Sequence, residues 1–339
     1  MSDSDARADI ASAPWLQQQF ALLLAQRGHA WLLHGPSGLG QYPLGLALVR
    51  AWLCDEPIAE GACGRCASCH AVDVRSHADL CVLMPETLML ELGWPLGEKE
   101  QTEIDNKKRK PSREIRIDAM RGAIEFTQRT SARGRGKAVL VVPAERMNAT
   151  AANALLKTLE EPPGDTRFVL ASHAAHALLP TVRSRCLGHA MTWPEPAAAL
   201  AWLQQQGMDP AQGAAALRAA GGRPHEALAR LQSGFDGRAW ARWPQALARG
   251  DARVMADWTP AQAVDALQKL CHDLLARSVG AAPRFFEPAD LPNLSAARVA
   301  ALTGWAKALA QTARHIDHPL QPGLLQDDLV SQARQALNS

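Results

Sequence analysis

The stretch HAWLLHGPSGLGQYPLG, residues 29–45, joins a short apolar run to a glycine-rich turn and then to helix-forming sequence. AWLLH is bounded by glycines, as a buried strand is, and Pro43 suits the first turn of a helix. Gly35 and Gly40 stand at the spacing of the phosphate-binding loop G-x-x-x-x-G-K-[ST]. In that loop backbone amides cradle phosphate, the Lys neutralises it and the hydroxyl holds magnesium. Here Gln41 and Tyr42 occupy the last two positions. Gln41 is neutral, and Tyr42 is too large to place a hydroxyl where a threonine would. Amides at a helix start still suit an anion, but hydrolysis lacks both the positive charge and the metal ligand.

Upstream of this unit, residues 15–27 space Trp15, Phe20, Leu23 and Leu24 as one helical face, with Gly28 as a C-cap. Downstream, KAVLVV (137–142) and RFVLAS (167–172) have the continuous hydrophobicity of strands covered on both faces. Between them, apolar residues at 151, 152, 155, 156 and 159 mark a helix that Pro162 and Pro163 stop. This alternation predicts a parallel α/β sheet over roughly the first 190 residues. From TWPEPAAAL (192–200) onward only helical patterns remain. Short helices over 196–232 join at Gly207, Pro210 and GGRP (221–224). A further set over 238–339 is broken at Pro260, Pro283, Pro288, Pro292 and Pro319. The expected division is an α/β domain over 1–192, a small helical domain over 193–233 and a larger one over 234–339. The charged stretch KEQTEIDNKKRKPSREIR (99–116) is expected to be mobile and overlaps a charged insertion in the α/β domain over about 86–112.

At 339 residues the chain is long enough for two or three cores. A net charge of +2 excludes a wholly basic nucleic-acid-binding surface, so any basic surface is local. MSDSDARADI lacks the pattern of a signal peptide, and no run reaches 18 apolar residues, so a cytoplasmic protein is expected. Seven cysteines in a reducing compartment argue against a disulfide framework.

Four of those cysteines, Cys54, Cys63, Cys66 and Cys69, follow C-x8-C-x2-C-x2-C. The short steps let consecutive sulfurs face one tetrahedral ion, and four protein ligands leave no open position, so a structural Zn2+ is expected. An iron–sulfur cluster is the competing occupant. Cys81, Cys186 and Cys271 are isolated and suit small buried positions. An ATPase needs an acidic pair at the end of its second core strand. The sequence there is VVPAERM, with Val142 and Pro143 in those places and Glu145 two residues late. In LPTVRSRC (179–186), Arg183 and Arg185 flank Ser184. They are either ordinary surface arginines or a source of an arginine finger for a neighbour's nucleotide site, where such a residue is worth about 10³ to 10⁵ in rate. Lys107, Lys108, Arg109, Lys110, Arg113 and Arg116 form a basic cluster with one acid, Glu114. It suits either a phosphate backbone or a solvated loop, and without interleaved aromatics it does not suit base stacking. The histidines, His173 and His176 included, show no spacing that demands catalysis or metal binding.

Taken together, the degenerate loop, the four-cysteine insert after its helix, NALLKTLEEPP (153–163) and the SRC of Ser184–Cys186 resemble the delta-prime subunits of the bacterial DNA polymerase III clamp loader. The likeness covers about residues 14–190; beyond that it rests on order and length. It implies an AAA+ module, a lid and a helical collar in a ring that loads the sliding clamp on primed DNA. The implied partners are motor subunits of the tau/gamma type and a delta-type clamp-opening subunit. The implied role is a non-catalytic stator. By the same resemblance Arg185 is the finger acting in trans, Cys54, Cys63, Cys66 and Cys69 form the zinc module, and no ATP is hydrolysed at Gly35, Gly40, Gln41 and Tyr42. His225, in GGRPHEAL (221–228), stands near where a motor subunit carries a nucleotide-sensing arginine. The insertion over 86–112 has no counterpart in that pattern. An active AAA+ ATPase with an atypical site and a zinc-containing DNA-binding module are the rival readings.

Overall fold

Three both-face-buried runs form the middle of a five-stranded parallel sheet, and two strands that the hydrophobic pattern does not announce flank them. A computed structural model describes residues 10, 13–293, 298–315 and 322–338; the N-terminal decapeptide apart from Ile10, and Pro319, lie outside the described residues. The chain divides into two compact units, residues 1–198 and 199–339. The break falls within a few residues of the expected end of the α/β domain. The expected lid and collar fall almost wholly in the second unit.

In the first unit α1 (Pro14–Ala25) leads to β1 (Ala30–His34), α2 (Gln41–Leu53) and α3 (Ala67–Asp73). Then come β2 (Leu80–Leu83), α4 (Glu86–Glu91), α5 (Glu98–Asp105) and α6 (Ile117–Gln128). β3 (Lys137–Val141), α7 (Ala149–Glu160), β4 (Thr166–Ser172), α8 (Pro180–Arg183) and β5 (Leu187–Ala190) complete it. The strand order is β2-β3-β4-β1-β5, and every pair is parallel. β1 lies between β4 and β5, with Leu32 opposite both Leu170 and Gly188. All five residues of β3 are buried, as its unbroken apolar run requires.

α1 ends at Ala25 with Gln26 as its C-cap, short of Gly28. A side chain at 28 would meet Leu187 Cδ1 at 2.6 Å, so that glycine serves the close approach of β5 and not the helix end. α7 is capped by Asn148, whose side chain accepts from the Ala151 amide, and buries Ala151, Ala152, Leu155 and Leu159 against the sheet. Gly45 lets α2 lie close on the sheet, because a Cβ there would stand 2.9 Å from Leu140 Cδ1 and 3.2 Å from Val169 Cγ1.

The insertion is ordered, against the expectation drawn from its composition. Arg109 donates to both oxygens of Glu86, at 2.5 and 2.9 Å, and to Glu103 at 2.8 Å; the Ser112 amide also donates to Glu86 at 2.7 Å. Internal pairing of opposite charges holds α4, α5 and the 107–112 turn together where apolar residues are scarce.

The second unit is helical: α9 (Pro196–Gln205), α10 (Pro210–Ala219), α11 (Pro224–Gln232), α12 (Gly237–Ala248), α13 (Pro260–Ser278), α14 (Val299–His315) and α15 (Pro322–Asn338). The first helix begins just before the unit boundary. α13 starts with a Thr259–Gln262 capping box and buries Leu267, Leu270, Cys271 and Leu274 in a core shared with Trp240, Trp243 and Phe286. Buried Asp273 accepts the backbone amides of Arg284, Phe285 and Phe286, fixing the proline-rich connection that follows α13.

Candidate functional site

The loop between β1 and α2 is a tight glycine turn that leads from the strand into the helix. Gly35 donates its amide to Ser172 O at 3.3 Å, and Gly40, at φ 96°, makes the left-handed turn into α2. The side chains then depart from nucleotide chemistry. Gln41 is 1% exposed, and its Nε2 donates to Gly35 O at 2.9 Å and Pro36 O at 2.7 Å. Both amide hydrogens are thus committed to the start of the loop. The Tyr42 hydroxyl accepts from Trp94 Nε1 at 2.9 Å. Trp94 belongs to the charged insertion and is buried beneath the Arg75 guanidinium, which sits 5.6 Å from its ring and donates to Gly93 O. This ties the insertion to the loop that a nucleotide would approach.

After β3, Val142 donates its amide to Leu83 O, and neither Val142 nor Pro143 supplies a carboxylate. Glu145 lies in the short turn Ala144–Arg146. Its two oxygens accept from the His173 backbone amide, at 3.1 and 3.3 Å, just past the end of β4. The acid nearest the expected position therefore braces two strand ends.

Cys54 is the C-cap of α2 and Cys66 the N-cap of α3. The sulfurs of Cys54, Cys63, Cys66 and Cys69 all lie within 4.8 Å of one another. Cys54 Sγ stands 3.7 Å from Cys66 Sγ and 3.6 Å from Cys69 Sγ. Four sulfurs around one tetrahedral ion at Zn–S distances of roughly 2.3 Å are separated by roughly 3.8 Å, so the spacing fits a single ion. Backbone amides already point at the sulfurs: Cys63 N to Cys54, Gly64 N to Cys69 and Cys69 N to Cys66, at 3.3 to 3.4 Å. Amide donation, first from Arg65, lowers the Cys63 thiol to about 6. Burial holds the Cys54 and Cys69 thiols up, a cost that a metal cation removes.

A polar network surrounds this cluster, and nothing in the sequence announces it. Asp55, beside Cys54, accepts from the Ser68 hydroxyl at 2.7 Å and from Arg133 Nη2 at 2.9 Å. Hydrogen bonds from Arg133 and Ser68 hold its carboxyl well below the usual range. His77 Nδ1 accepts from the Asp79 amide, which leaves Nε2 to donate to Ser68 Oγ at 3.1 Å. Asp79, 1% exposed, accepts from Ser131 Oγ and from the Ala132 and Arg133 amides.

Arg183 and Ser184 are exposed at the end of α8. Arg185 is half-buried; its Nη1 donates to Thr181 O at 2.8 Å and its Nη2 pairs with Glu160, the last residue of α7. The TLEEPP and SRC stretches thus meet through Glu160 and Arg185, a pairing that the sequence reading missed. Desolvation pushes the Cys186, Cys271 and Cys81 thiols up, to about 12, 12 and 11; Cys271 is buried, as expected, while Cys81 and Cys186 are half-buried. Of the basic cluster, Arg109 is spent on Glu86 and Glu103, while Lys107, Lys108, Lys110, Arg113 and Arg116 are exposed. In the second unit the His225 ring packs at a tilt of 42° against Trp202, with ring centroids 4.8 Å apart. Among the described residues no helix is long and apolar enough to cross a membrane.

The family model described as DNA polymerase III, delta subunit, matches residues 16–192. A DNA polymerase III subunit delta' of Pseudomonas aeruginosa is 41% identical over 192 residues, 56% of this chain and 52% of the relative. The Escherichia coli subunit delta' is 36% identical over 226 residues, 65% of this chain and 60% of the relative. The DNA polymerase III subunit tau of Escherichia coli is 30% identical over 166 residues, 49% of this chain and 22% of the relative. The matched stretch thus spans between half and three-fifths of the length of the delta' relatives.

Proposed function

The chain belongs to the DNA polymerase III delta-subunit family, and from that membership we propose that it is a non-catalytic, delta-prime-type AAA+ subunit of a replicative clamp loader. In this reading it completes a cytoplasmic ring with tau- or gamma-type motor subunits and a delta-type subunit, and the ring places a sliding clamp on primed DNA. The first unit supplies the AAA+ sheet domain. Within the rest of the chain, residues 193–233 act as the lid and 234–339 as the collar that holds neighbours.

The observation that carries the non-catalytic role is the commitment of Gln41 to the carbonyls of Gly35 and Pro36. Where a motor subunit needs an ammonium on phosphate, this chain has a neutral amide turned into its own loop. Tyr42, which stands in place of the metal-binding hydroxyl, and Glu145, the acid nearest the expected pair, are likewise bonded within the chain. A structural Zn2+ held by Cys54, Cys63, Cys66 and Cys69 would fix the segment that follows α2; it has no open position and so takes no part in hydrolysis. Arg185 would act in trans, placing positive charge on the phosphate held by the adjacent motor subunit.

Two measurements decide the matter. The purified chain is expected to turn over no ATP alone and to enter a complex of defined mass with tau- and delta-type subunits. Arg185→Ala is expected to leave that complex intact and to reduce its ATPase rate by about 10³ or more. Solitary turnover, or an unchanged rate in the Arg185→Ala complex, overturns the reading.

A further inference from the structure

We infer that Glu160 is a positioning residue for Arg185: it holds the guanidinium on its own subunit and sets how readily that group reaches a phosphate elsewhere. The inference rests on the trans role proposed above for Arg185. The geometry that supports it belongs to this chain alone.

Glu160 closes α7, where the helix presents its carbonyl ends. A carboxylate gains nothing from the helix dipole at that end, so the local backbone gives no reason for an acid there. Its partner supplies one. Arg185, 25 residues on, directs Nη2 to Glu160 Oε1 and Nη1 to Thr181 O. Its Nε is buried and has no hydrogen-bond partner among the described residues. Both terminal nitrogens of the guanidinium are therefore engaged within the chain.

Bidentate recognition of a phosphate uses two parallel N–H donors of the same fork. Arg185 offers that fork only after letting go of Glu160. Magnitudes favour the exchange, since the Arg185 and Glu160 side chains are 29% and 49% exposed and a solvent-exposed ion pair is weak. A phosphate in a water-poor site is the stronger acceptor. Glu160 thus keeps the arginine in one defined place without holding it against a neighbour's nucleotide. Glu161, next in the chain and exposed, makes no ion pair with Arg185 among the described residues, which provides a charge-matched control.

The test has two arms on the full-length chain. In the first, Arg185 and Arg183 are labelled with the arginine-selective reagent phenylglyoxal and followed by peptide mass spectrometry. Glu160→Gln is expected to raise the labelling rate of Arg185 about two- to five-fold, the range set by an exposed ion pair. Arg183 in the same peptide, and both arginines in Glu161→Gln, are expected to stay at the wild-type rate. Equal labelling of Arg185 in wild type and Glu160→Gln overturns the inference. In the second arm, wild type and Glu160→Gln are titrated into tau-type subunits. The variant is expected to reach half-maximal ATPase stimulation at about two- to five-fold lower concentration with the same maximal rate. An unchanged titration curve overturns the inference while the Arg185→Ala effect stands. Loss of the Arg185→Ala effect overturns the trans role, and labelling still judges the Glu160 contact.

Discussion

The two ends of α2 treat a ligand site in opposite ways. At its N-terminus, Gly35 and Gly40 keep the spacing of a phosphate loop, while Gln41 and Tyr42 spend their polar groups inside the chain. At its C-terminus, Cys54 brings its sulfur to three others, all within 4.8 Å. The loop needs no ligand to explain it: the left-handed Gly40 and the close packing at Gly45 are demands of joining a buried strand to a helix that lies on the sheet. No such demand draws four thiols to one point. Retained backbone with altered side chains is a property of the fold, whereas four converged thiols are the arrangement that a bound ion would require.

Removing one sulfur should produce the largest effect. Cys66→Ala is expected to abolish a stoichiometry of about one zinc per chain and to destabilise the first unit by at least about 3 kcal/mol. That is well below the roughly 10–16 kcal/mol of zinc-finger peptides, because this unit has a core of its own. Metal analysis and urea unfolding of the purified chain check it. A wild-type chain that carries no metal and matches the variant in stability would make the two ends of α2 alike, and the contrast would be lost.

Asp79→Ala tests whether the support around the cysteines is built as firmly as the sulfurs suggest. Asp79 accepts from Ser131 Oγ and from two backbone amides, one of them that of Arg133, whose guanidinium clamps Asp55 beside Cys54. Taking the buried carboxylate from these three part-buried donors is expected to cost about 1–3 kcal/mol. Burial acts to raise the Asp79 pKa, but the amides of Ala132 and Arg133 outweigh it and hold the value down. A carboxylate depressed in the folded state stabilises above its unfolded value of about 3.9, and that stability is lost as pH falls through the lower folded value. Asp79→Asn should therefore flatten the acid limb of the stability curve below about pH 4. A limb as steep as that of wild type would count against the network.

How much of this was legible in the sequence follows the same division between backbone and side chain. β1, β3 and β4 announced themselves because a strand covered on both faces is apolar throughout; Lys137–Val141 is buried at every position. β5, LGHA, carries a glycine, lies at the sheet edge and leaves Leu187 46% exposed, so periodicity had nothing to register. β2, LCVL, is short, with three of its four residues only half-buried. The cysteines were legible because ligand spacing is local. Trp94 on Tyr42, 52 residues apart, and Glu160 on Arg185 were not, because neither partner carries a spacing signal for the other until the fold brings them together. Composition misjudged the insertion for a related reason: it counts charges, whereas Arg109 between Glu86 and Glu103 shows that pairing decides order.

A smaller effect sharpens the N-terminal side of the comparison. Trp94→Phe keeps the buried ring and removes the donor to Tyr42, and is expected to cost about 1 kcal/mol. Tyr42→Phe should cost a similar amount, and the double variant no more than either alone. Hydrogen exchange over residues 86–112 reads whether that one bond also steadies the insertion. Fully additive losses would mean that Trp94 and Tyr42 act independently.

The smallest expected change is the one most able to break the contrast. Gln41→Lys with Tyr42→Thr restores the ammonium and the small hydroxyl of a phosphate loop, and is expected to bring no measurable ATP turnover. The cradle would then hold two of its parts, but Val142 and Pro143 still offer no carboxylate after β3. The nearest acid, Glu145, remains on the His173 amide. A positioned acid or base is itself worth about 10² to 10⁴ in rate, so charge on the phosphate alone leaves the barrier largely in place. Nucleotide binding, read by isothermal calorimetry, is the only gain expected from this pair. Turnover above that of the wild-type chain would mean that the loop was one step from working and that the difference between the two ends of α2 lies in two side chains. Binding without turnover would place it in the sheet as well, where β3 ends without an acid.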